Sequence, residues 1–208
     1  MNHRPAICWM GLLLISSRAC GAGVDDLRCE YLREPPGVDS RQPRLSWIIN
    51  SDRRGERQTA FQVLVASTEE LLSRDQGDLW DSGKVERGQS VQVEYAGRPL
   101  ESRQRCHWKV RIWDKDGQPA AWSRPSLWTM GLLKAEDWRA KWITMQVSAG
   151  LPHPWLRRSF ELKSAATRAE VYVNTPGHYE LYINGQKVGS DVLAPAHVNL
   201  KKRFGSGP

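Results

Sequence analysis

The ten residues RCHWKVRIWD (105–114) give the clearest structural signal in the chain. Apolar and polar side chains alternate along them, which is the period of a β-strand with one face in a core. The predicted core face carries Trp108, Val110 and Ile112. The predicted outer face carries the alternate side chains, which are His107, Lys109, Arg111 and Trp113. We therefore expect a long strand with one apolar face and one polar face.

Further short strands surround this segment between residues 25 and 130. The runs with strand character are LRCEYL (27–32), RLSWII (44–49), TAFQVLVAS (59–67), SVQVEYAG (90–97) and SLWTMG (126–131). One helical turn or two is predicted at TEELLSRD (68–75), capped by Ser67 or Thr68. Seven or so short strands with turn signals at close intervals are typical of a two-sheet β-sandwich. The predicted fold class is therefore all-β.

Residues 131–154 are interpreted as a linker, and a second β-pattern occupies 155–208. The clearest element of this pattern is the hairpin YELYINGQKVG (179–189). Its Asn184-Gly185 pair suits the two positive-φ positions of a type I′ turn. A sheet with one apolar face needs an opposing layer to be stable. The roughly four strands predicted here offer none, so this segment is expected to be the beginning of a larger β-domain.

The net charge argues for an ordinary soluble surface. The 208 residues include 30 Lys and Arg against 23 Asp and Glu, which gives a net charge of +7. A basic balance can indicate a nucleic-acid partner, but here the basic residues are scattered among acidic ones and form no tail. We expect no nucleic-acid binding.

The first 22 residues have the layout of a secretory signal peptide. Arg4 precedes the apolar run AICWMGLLLI, and small residues follow, with Ala22 in position −1 of a cut before Gly23. An alternative is lipoprotein anchoring through Cys20, although Arg18 disfavours that signal. The apolar run is too short to span a membrane. The expected location is secreted or periplasmic, without stable membrane insertion.

Cys29 and Cys106 are the two cysteines that remain after the signal peptide. An oxidising compartment favours a disulfide between them. Such a bond would close a loop of about 78 residues and stabilise the fold by about 4 kcal/mol on the loop-entropy model. Each cysteine lies in a strand-like run, however, and buried free cysteines are also common. Both alternatives stay open at this point.

Trp113 is the candidate carbohydrate-binding residue. An exposed indole on a sandwich can stack on a sugar ring. The alternative is cation–π packing of Arg111 or Lys109 on the same ring. Trp47, Trp108 and Trp128 are expected in the core.

Catalytic, metal and cofactor sites are not indicated. The five histidines make no pair at metal-ligand spacing. Asp114, Asp116 and Gly117 resemble the start of a calcium loop, but position 12 of that loop is Pro125. We interpret them as a turn, and we assign Asp78 and Asp81 to turns or caps as well. No phosphate loop or nucleophile motif is present, so no cofactor and no catalytic residue are predicted.

Several long blocks of sequence resemble a known family. Residues 27–47, 57–67, 78–85, 89–100, 105–123 and 138–143 look like the amino-terminal region of bacterial α-L-rhamnosidases. Residues 155–162 and 166–196 resemble the jelly-roll domain that follows in that family. The resemblance implies a fibronectin type III-like sandwich over 25–130 and an incomplete jelly-roll sandwich over 155–208.

This family consists of inverting glycoside hydrolases whose catalytic (α/α)6 barrel lies far downstream. The resemblance therefore implies a non-catalytic fragment of a secreted α-L-rhamnosidase, from a truncated or a frame-interrupted gene. The expected partners are a rhamnose-containing glycan and the catalytic portion of the same enzyme. Two alternatives are a free-standing carbohydrate-binding or adhesion module and an assembly module that pairs through open strand edges.

Overall fold

The computed structural model of the protein describes residues 22–144, 155–175 and 177–190. The chain divides into two units, Met1–Ile143 and Thr144–Pro208, which are treated separately below. The predicted signal peptide with Cys20 lies outside the described residues, except for its last residue, Ala22. Residues 145–154 of the predicted linker, residue 176 and all residues beyond 190 also lie outside them.

Two antiparallel sheets form the first unit. In spatial order, the first sheet contains β1 (Gly23–Cys29), β2 (Arg44–Asn50) and β5 (Val93–Glu94). The second sheet contains β4 (Trp80–Asp81), β3 (Ala60–Ala66), β6 (Arg105–Trp113) and β7 (Ser126–Thr129). The only helical elements among the described residues are α1 (Glu69–Ser73) and a 3-10 turn at Ala135–Asp137. The all-β fold class and the fibronectin III-like sandwich are therefore confirmed.

Strand β6 has the two faces that its sequence predicts. Trp108, Val110 and Ile112 are fully buried and belong to the hydrophobic core between the sheets. Strand β3 pairs with β6 over its whole length, from Ala60 opposite Trp113 to Ala66 opposite His107. These two strands form the centre of the second sheet.

Helix α1 covers the outer face of the second sheet. The side chain of Thr68 caps it by accepting a hydrogen bond from the backbone N–H of Leu71 at 3.2 Å, which confirms one of the two predicted caps. Leu72 packs with Leu64 and Ala66 of β3 in a second, smaller apolar cluster. Strand β3 is consequently buried on both faces.

Lys109 of β6 fastens the helix to the sheet. Its ammonium group is buried, donates a hydrogen bond of 2.7 Å to the Leu72 carbonyl oxygen and pairs with the Asp75 carboxylate. The Lys109 ammonium also holds the pKa of Asp75 below its usual value. Lys109 was predicted on the polar face of β6. Helix α1 covers it there, and the Lys109 ammonium in turn binds the helix.

Two predicted strands are shorter than expected. The run 27–32 leaves β1 at Cys29, because Glu30 and Tyr31 have φ values of 47° and 66° and form a turn. The run 90–97 is a strand only at Val93–Glu94, because Gln92 has a φ of 56°. Left-handed backbone departs from β geometry, and at these positions it ends the regular β ladder.

The predicted hairpin is confirmed in the second unit. Its strands are β8 (Tyr182–Ile183) and β9 (Gln186–Lys187), joined by Asn184 and Gly185 with φ values of 50° and 80°. The other strands expected after residue 155 are not formed within 155–175 and 177–190. Exposed apolar side chains are frequent along these residues, as in Trp155 and Phe160.

Replacement of Lys109 by alanine is expected to destabilise the first unit by about 2 kcal/mol, because two charge-assisted hydrogen bonds and the buried stem of the side chain are lost. Urea unfolding followed by tryptophan fluorescence measures this change. Lys84→Ala is the matched control, since Lys84 also contacts a tryptophan but is exposed, and its effect should stay within about 0.5 kcal/mol. Equal effects of the two substitutions would contradict the anchoring role of Lys109.

Candidate functional site

A row of alternating aromatic and cationic side chains lies on the outer face of the second sheet. The Arg111 guanidinium lies between two indoles, 5.2 Å from the ring centroid of Trp113 and 4.6 Å from that of Trp122. Lys84 lies 5.3 Å from the Trp113 centroid, and Lys109 lies 5.0 Å from the Trp122 centroid. Each contact has the geometry of a cation–π interaction.

Gln62 of β3 fixes the central guanidinium of this row. Its side-chain oxygen accepts hydrogen bonds from Nε and Nη2 of Arg111 at 2.9 and 2.6 Å. The Gln62 amide in turn donates to Asp81 at 2.6 Å. These polar side chains therefore form hydrogen bonds with one another.

The structure bears on the two interpretations of Trp113. Cation–π packing by Arg111 is confirmed, whereas Lys109, the other cation considered, lies over Trp122 instead. The Trp113 side chain is half-buried and has two cations at its ring. Stacking of a sugar on this indole stays a prediction.

The aspartates considered for metal binding have turn roles. Asp114 Oδ1 accepts hydrogen bonds from the backbone N–H groups of Asp116 and Gln118 at 2.9 and 2.8 Å. Arg53 donates to Asp116 at 2.5 Å and so ties this turn to the loop after β2. Within the part of the chain that the structure describes, no three His, Cys, Asp or Glu side chains are placed to hold a metal ion.

Asp78 and Asp81 also have the predicted turn roles. Asp78 accepts hydrogen bonds from the backbone N–H and the hydroxyl of Ser67 at 2.8 and 2.7 Å. Asp81 accepts from the backbone N–H of Gly83 at 2.8 Å. These contacts close the loops around α1 and β4 and use the carboxylates structurally.

Cys29 and Cys106 are free thiols buried in the core between the sheets. They lie on β1 and β6, one from each sheet. Burial raises the pKa of Cys106 to about 12, and nearby Asp78 adds to this effect. Burial also raises the pKa of Cys29, with smaller contributions from Glu30 and Cys106. The structure thus has the cysteines as buried free thiols, the second of the two alternatives. A disulfide between them stays a prediction.

Ala22 and Gly23, the residues of the predicted signal cleavage, lie at the beginning of the sandwich. Ala22 is buried against the core, and Gly23 is the first residue of β1, opposite Asn50 of β2. Within residues 22–144, 155–175 and 177–190, no helix has the length and apolar character needed to cross a bilayer.

A strained turn follows β1 at Glu30-Tyr31. Reciprocal backbone hydrogen bonds of 2.9 and 3.0 Å between Cys29 and Leu32 close this turn. Both central residues have positive φ, as in a type I′ turn, where Asn and Gly are usual. A bulky residue such as tyrosine is rare in this conformation and its strain has to be held by other contacts.

Arg44 and Gln92 hold this turn in place. Arg44 pairs with Glu30 through side-chain hydrogen bonds, the shortest at 2.5 Å, and its backbone N–H donates to the same carboxylate at 2.7 Å. The Arg44 guanidinium lies 5.1 Å from the centroid of the Tyr31 ring, and Gln92 donates to the Tyr31 hydroxyl at 2.5 Å. The hydrogen bonds from the Arg44 side chain keep the pKa of Glu30 below its usual value.

Sequence reasoning missed this group. The letters CEYL carry no turn signal, and their alternation predicts a continued strand. The only indirect signal was the Pro-rich stretch that begins at Pro35. The contacts to Arg44 and Gln92 depend on strands that are distant in sequence, so no local pattern could show them.

Two family models match the chain in sequence order. The model described as Rha78A-like, N-terminal immunoglobulin domain matches residues 24–134. The model described as α-L-rhamnosidase N-terminal domain matches residues 164–205. The first match covers more than half of the 208 residues and coincides with the sandwich. The chain belongs to the family of Rha78A-like N-terminal immunoglobulin domains.

Curated relatives of this Rha78A-like chain are named α-L-rhamnosidase. One from Formosa agariphila is 36% identical over 193 residues, which cover 81% of this chain and 20% of the relative. One from Streptomyces avermitilis is 38% identical over 182 residues, which cover 76% of this chain and 18% of the relative. The chain therefore spans about a fifth of the length of the curated relatives that it matches.

Solved structures of α-L-rhamnosidases are also similar to the Rha78A-like chain. The Streptomyces avermitilis enzyme complexed with L-rhamnose matches with a TM-score of 0.58 and 48% identity, over 61% of this chain and 12% of the enzyme. The enzyme from Dictyoglumus thermophilum matches with a TM-score of 0.57 and 40% identity, over 59% and 14% of the respective chains.

Alkaline pH is expected to destabilise the chain through its buried thiols. In the folded state the pKa values of both thiols are raised above the ordinary value of 9.0. As the pH rises above 9.0, the unfolded state therefore loses these protons before the folded state does, and the free energy of unfolding falls. The slope reaches up to about 1.4 kcal/mol per pH unit for each thiol. Urea unfolding of the chain from Gly23 at pH 7 to 11 measures it, and a Cys29→Ala, Cys106→Ala double variant should show a smaller slope.

Mass spectrometry after iodoacetamide treatment of the same chain tests the thiol state. Two labels are expected after unfolding without reductant, and slow labelling is expected at pH 8 in the native state, because the thiolate is the reactive form. A chain that takes no label until it is reduced would instead contain the Cys29–Cys106 disulfide.

Proposed function

We propose that this chain serves as the non-catalytic N-terminal part of an α-L-rhamnosidase. The observation that carries the proposal is the match of both family models in the same order as the two units of the chain. The carboxylates considered from the sequence, among them Asp78 and Asp114, are occupied by backbone hydrogen bonds in turns. Cleavage of the glycosidic bond is therefore assigned to polypeptide outside the residues that the chain shares with its relatives.

The exposed apolar side chains of the second unit support a role within a larger enzyme. Trp155 is 88% exposed and Phe160 is 73% exposed, and both are of a kind that folded proteins bury. Large apolar side chains exposed in such number usually contact other polypeptide. In the proposed enzyme, further polypeptide covers these side chains.

Export of the enzyme is part of the proposal. The layout of residues 1–22 supports secretion to the periplasm or the medium, with cleavage between Ala22 and Gly23. Because Ala22 is buried in the folded sandwich, cleavage would precede folding, as it does when a signal peptide is removed during translocation.

A domain exchange tests the proposed function. Residues 24–134 replace the matching domain of the Streptomyces avermitilis α-L-rhamnosidase, and hydrolysis of an aryl α-L-rhamnoside is measured. The chimaera is expected to be active, because the two sandwiches have the same fold and 48% identity. The same enzyme with the domain deleted is the matched control and should be less active or insoluble.

Two results would contradict the proposal. One is rhamnose release by this chain alone above a control without protein. The other is a soluble chimaera with no more activity than the deletion variant, which would show that the sandwich cannot act in the enzyme.

Export is tested by expressing the chain in a bacterium and sequencing the N-terminus of the protein found outside the cytoplasm. The expected mature protein begins at Gly23. Retention of the full apolar segment would contradict the export proposal, and a lipid-modified N-terminus at Cys20 would replace it with membrane anchoring.

A further inference from the structure

A polar cleft with a volume of about 1050 Å³ lies on the first unit beside the strained turn. Arg44 and Glu30 form one part of its wall, and the loop after β5 forms another. Tyr95 fixes that loop, because its buried hydroxyl lies 2.8 Å from the Arg98 carbonyl oxygen and 3.1 Å from that of Leu79. The walls are therefore set by the fold.

The charges on this cleft balance. Its charged lining residues are three acids and three arginines, namely Glu30, Asp39, Glu94, Arg41, Arg44 and Arg98. A lining of this kind attracts neither an anion nor a cation by net charge. It offers carboxylate acceptors and guanidinium donors side by side, which suits a neutral ligand with many hydroxyl groups.

Part of this hydrogen-bonding capacity is unused. Within the described residues, the side chains of Asp39, Glu94 and Arg98 form no hydrogen bond or ion pair. Arg44, by contrast, is held by Glu30 and lies over the Tyr31 ring. The cleft thus combines one fixed ion pair with three charged groups that are open to a ligand.

The backbone strain beside the cleft also supports a ligand-binding role. The turn Glu30-Tyr31 keeps two non-glycine residues at positive φ, a cost that proteins retain mainly where geometry serves a function. Here the turn places the Glu30 carboxylate and the Tyr31 ring against Arg44. Tyr31 is 47% exposed, so its ring is not kept there by burial in the core.

We propose that this cleft binds a neutral saccharide through Glu94, Arg98 and Asp39, with Tyr31 acting as a positioning residue for the Glu30–Arg44 pair. The proposal rests on the proposed function, which brings the sandwich to a rhamnose-containing glycan. The cleft is separate from Trp113, whose ring carries cations on the other sheet. Its volume slightly exceeds the usual range for small-molecule sites and accommodates more than one sugar unit.

Calorimetric titration of the chain with L-rhamnose and with a neutral rhamnose-containing oligosaccharide tests the site. Arg98→Ala and Glu94→Gln should each weaken binding about tenfold, because a charged hydrogen-bond partner of the ligand is lost. Arg124→Ala is the matched control, since it removes an exposed arginine away from the cleft, and it should leave affinity unchanged.

Tyr31 variants separate positioning from stability. Tyr31→Gly should weaken binding while the unfolding midpoint stays equal or rises, because glycine adopts positive φ without strain. Tyr31→Phe keeps the ring under Arg44 and should retain most of the affinity. A purely structural role would lower the unfolding midpoint and the affinity together.

Several outcomes overturn the proposal. They are the absence of heat with neutral sugars at millimolar concentration, binding of galacturonate or inorganic phosphate in preference to neutral sugars, and affinity that the Arg98 and Glu94 variants do not change. Loss of binding in Trp113→Ala but not in Arg98→Ala would place the site on the other sheet. The domain exchange measures hydrolysis, whereas the titration measures the affinity of the cleft for sugars. Failure of the proposed function and failure of the proposed binding site can therefore be told apart.

Discussion

A chain of aromatic rings in and against the core joins the two sheets, and the rest of the sandwich depends on it. Tyr95, next to β5 of the first sheet, contacts Trp80 and Trp128 of the second edge to face, with ring centroids 5.4 and 6.2 Å apart. Trp128 continues to Trp108 at 6.1 Å. Edge-to-face pairs fix ring orientation as well as bury area, so these contacts set how the sheets face each other. They also hold Tyr95 where its hydroxyl fixes the loop to Arg98.

The sandwich uses its surface charges in two different ways. On the second sheet, Arg111 and Lys109 are engaged by indoles, by Gln62 and by Asp75, so that face is closed by its own contacts. Beside the first sheet, Glu94 and Arg98 are left unpaired within the described residues, next to a turn that costs conformational energy. Groups that are satisfied internally contribute to stability, whereas exposed charged groups without a protein partner are available for recognition.

The sequence predicted those elements whose contacts are local or follow from the alternation of apolar and polar residues. The faces of β6, the Thr68 cap and the turn at Asn184-Gly185 were all readable, since each depends on residues close in sequence. The cation–π contact of Arg111 with Trp113 was readable for the same reason, because residues two apart share a strand face. Trp122 and Lys84 join that row from separate segments, and the Glu30-Tyr31 turn depends on Arg44 and Gln92. Such contacts arise only when the sheets assemble, so the sequence carried no local sign of the cleft.

The second unit also shows which elements local sequence can specify and which need distant contacts. Its Asn184-Gly185 hairpin forms because the turn residues bring two short strands together that are adjacent in sequence. The alternating run with Val171 and Val173 has equal strand character, but within the described residues it belongs to no sheet and both valines are exposed. Apolar alternation specifies a strand only when a second layer removes that face from water, since burial supplies most of the free energy. The exposed pattern in this unit agrees with the proposed place of the chain in an α-L-rhamnosidase, where further polypeptide would supply the second layer.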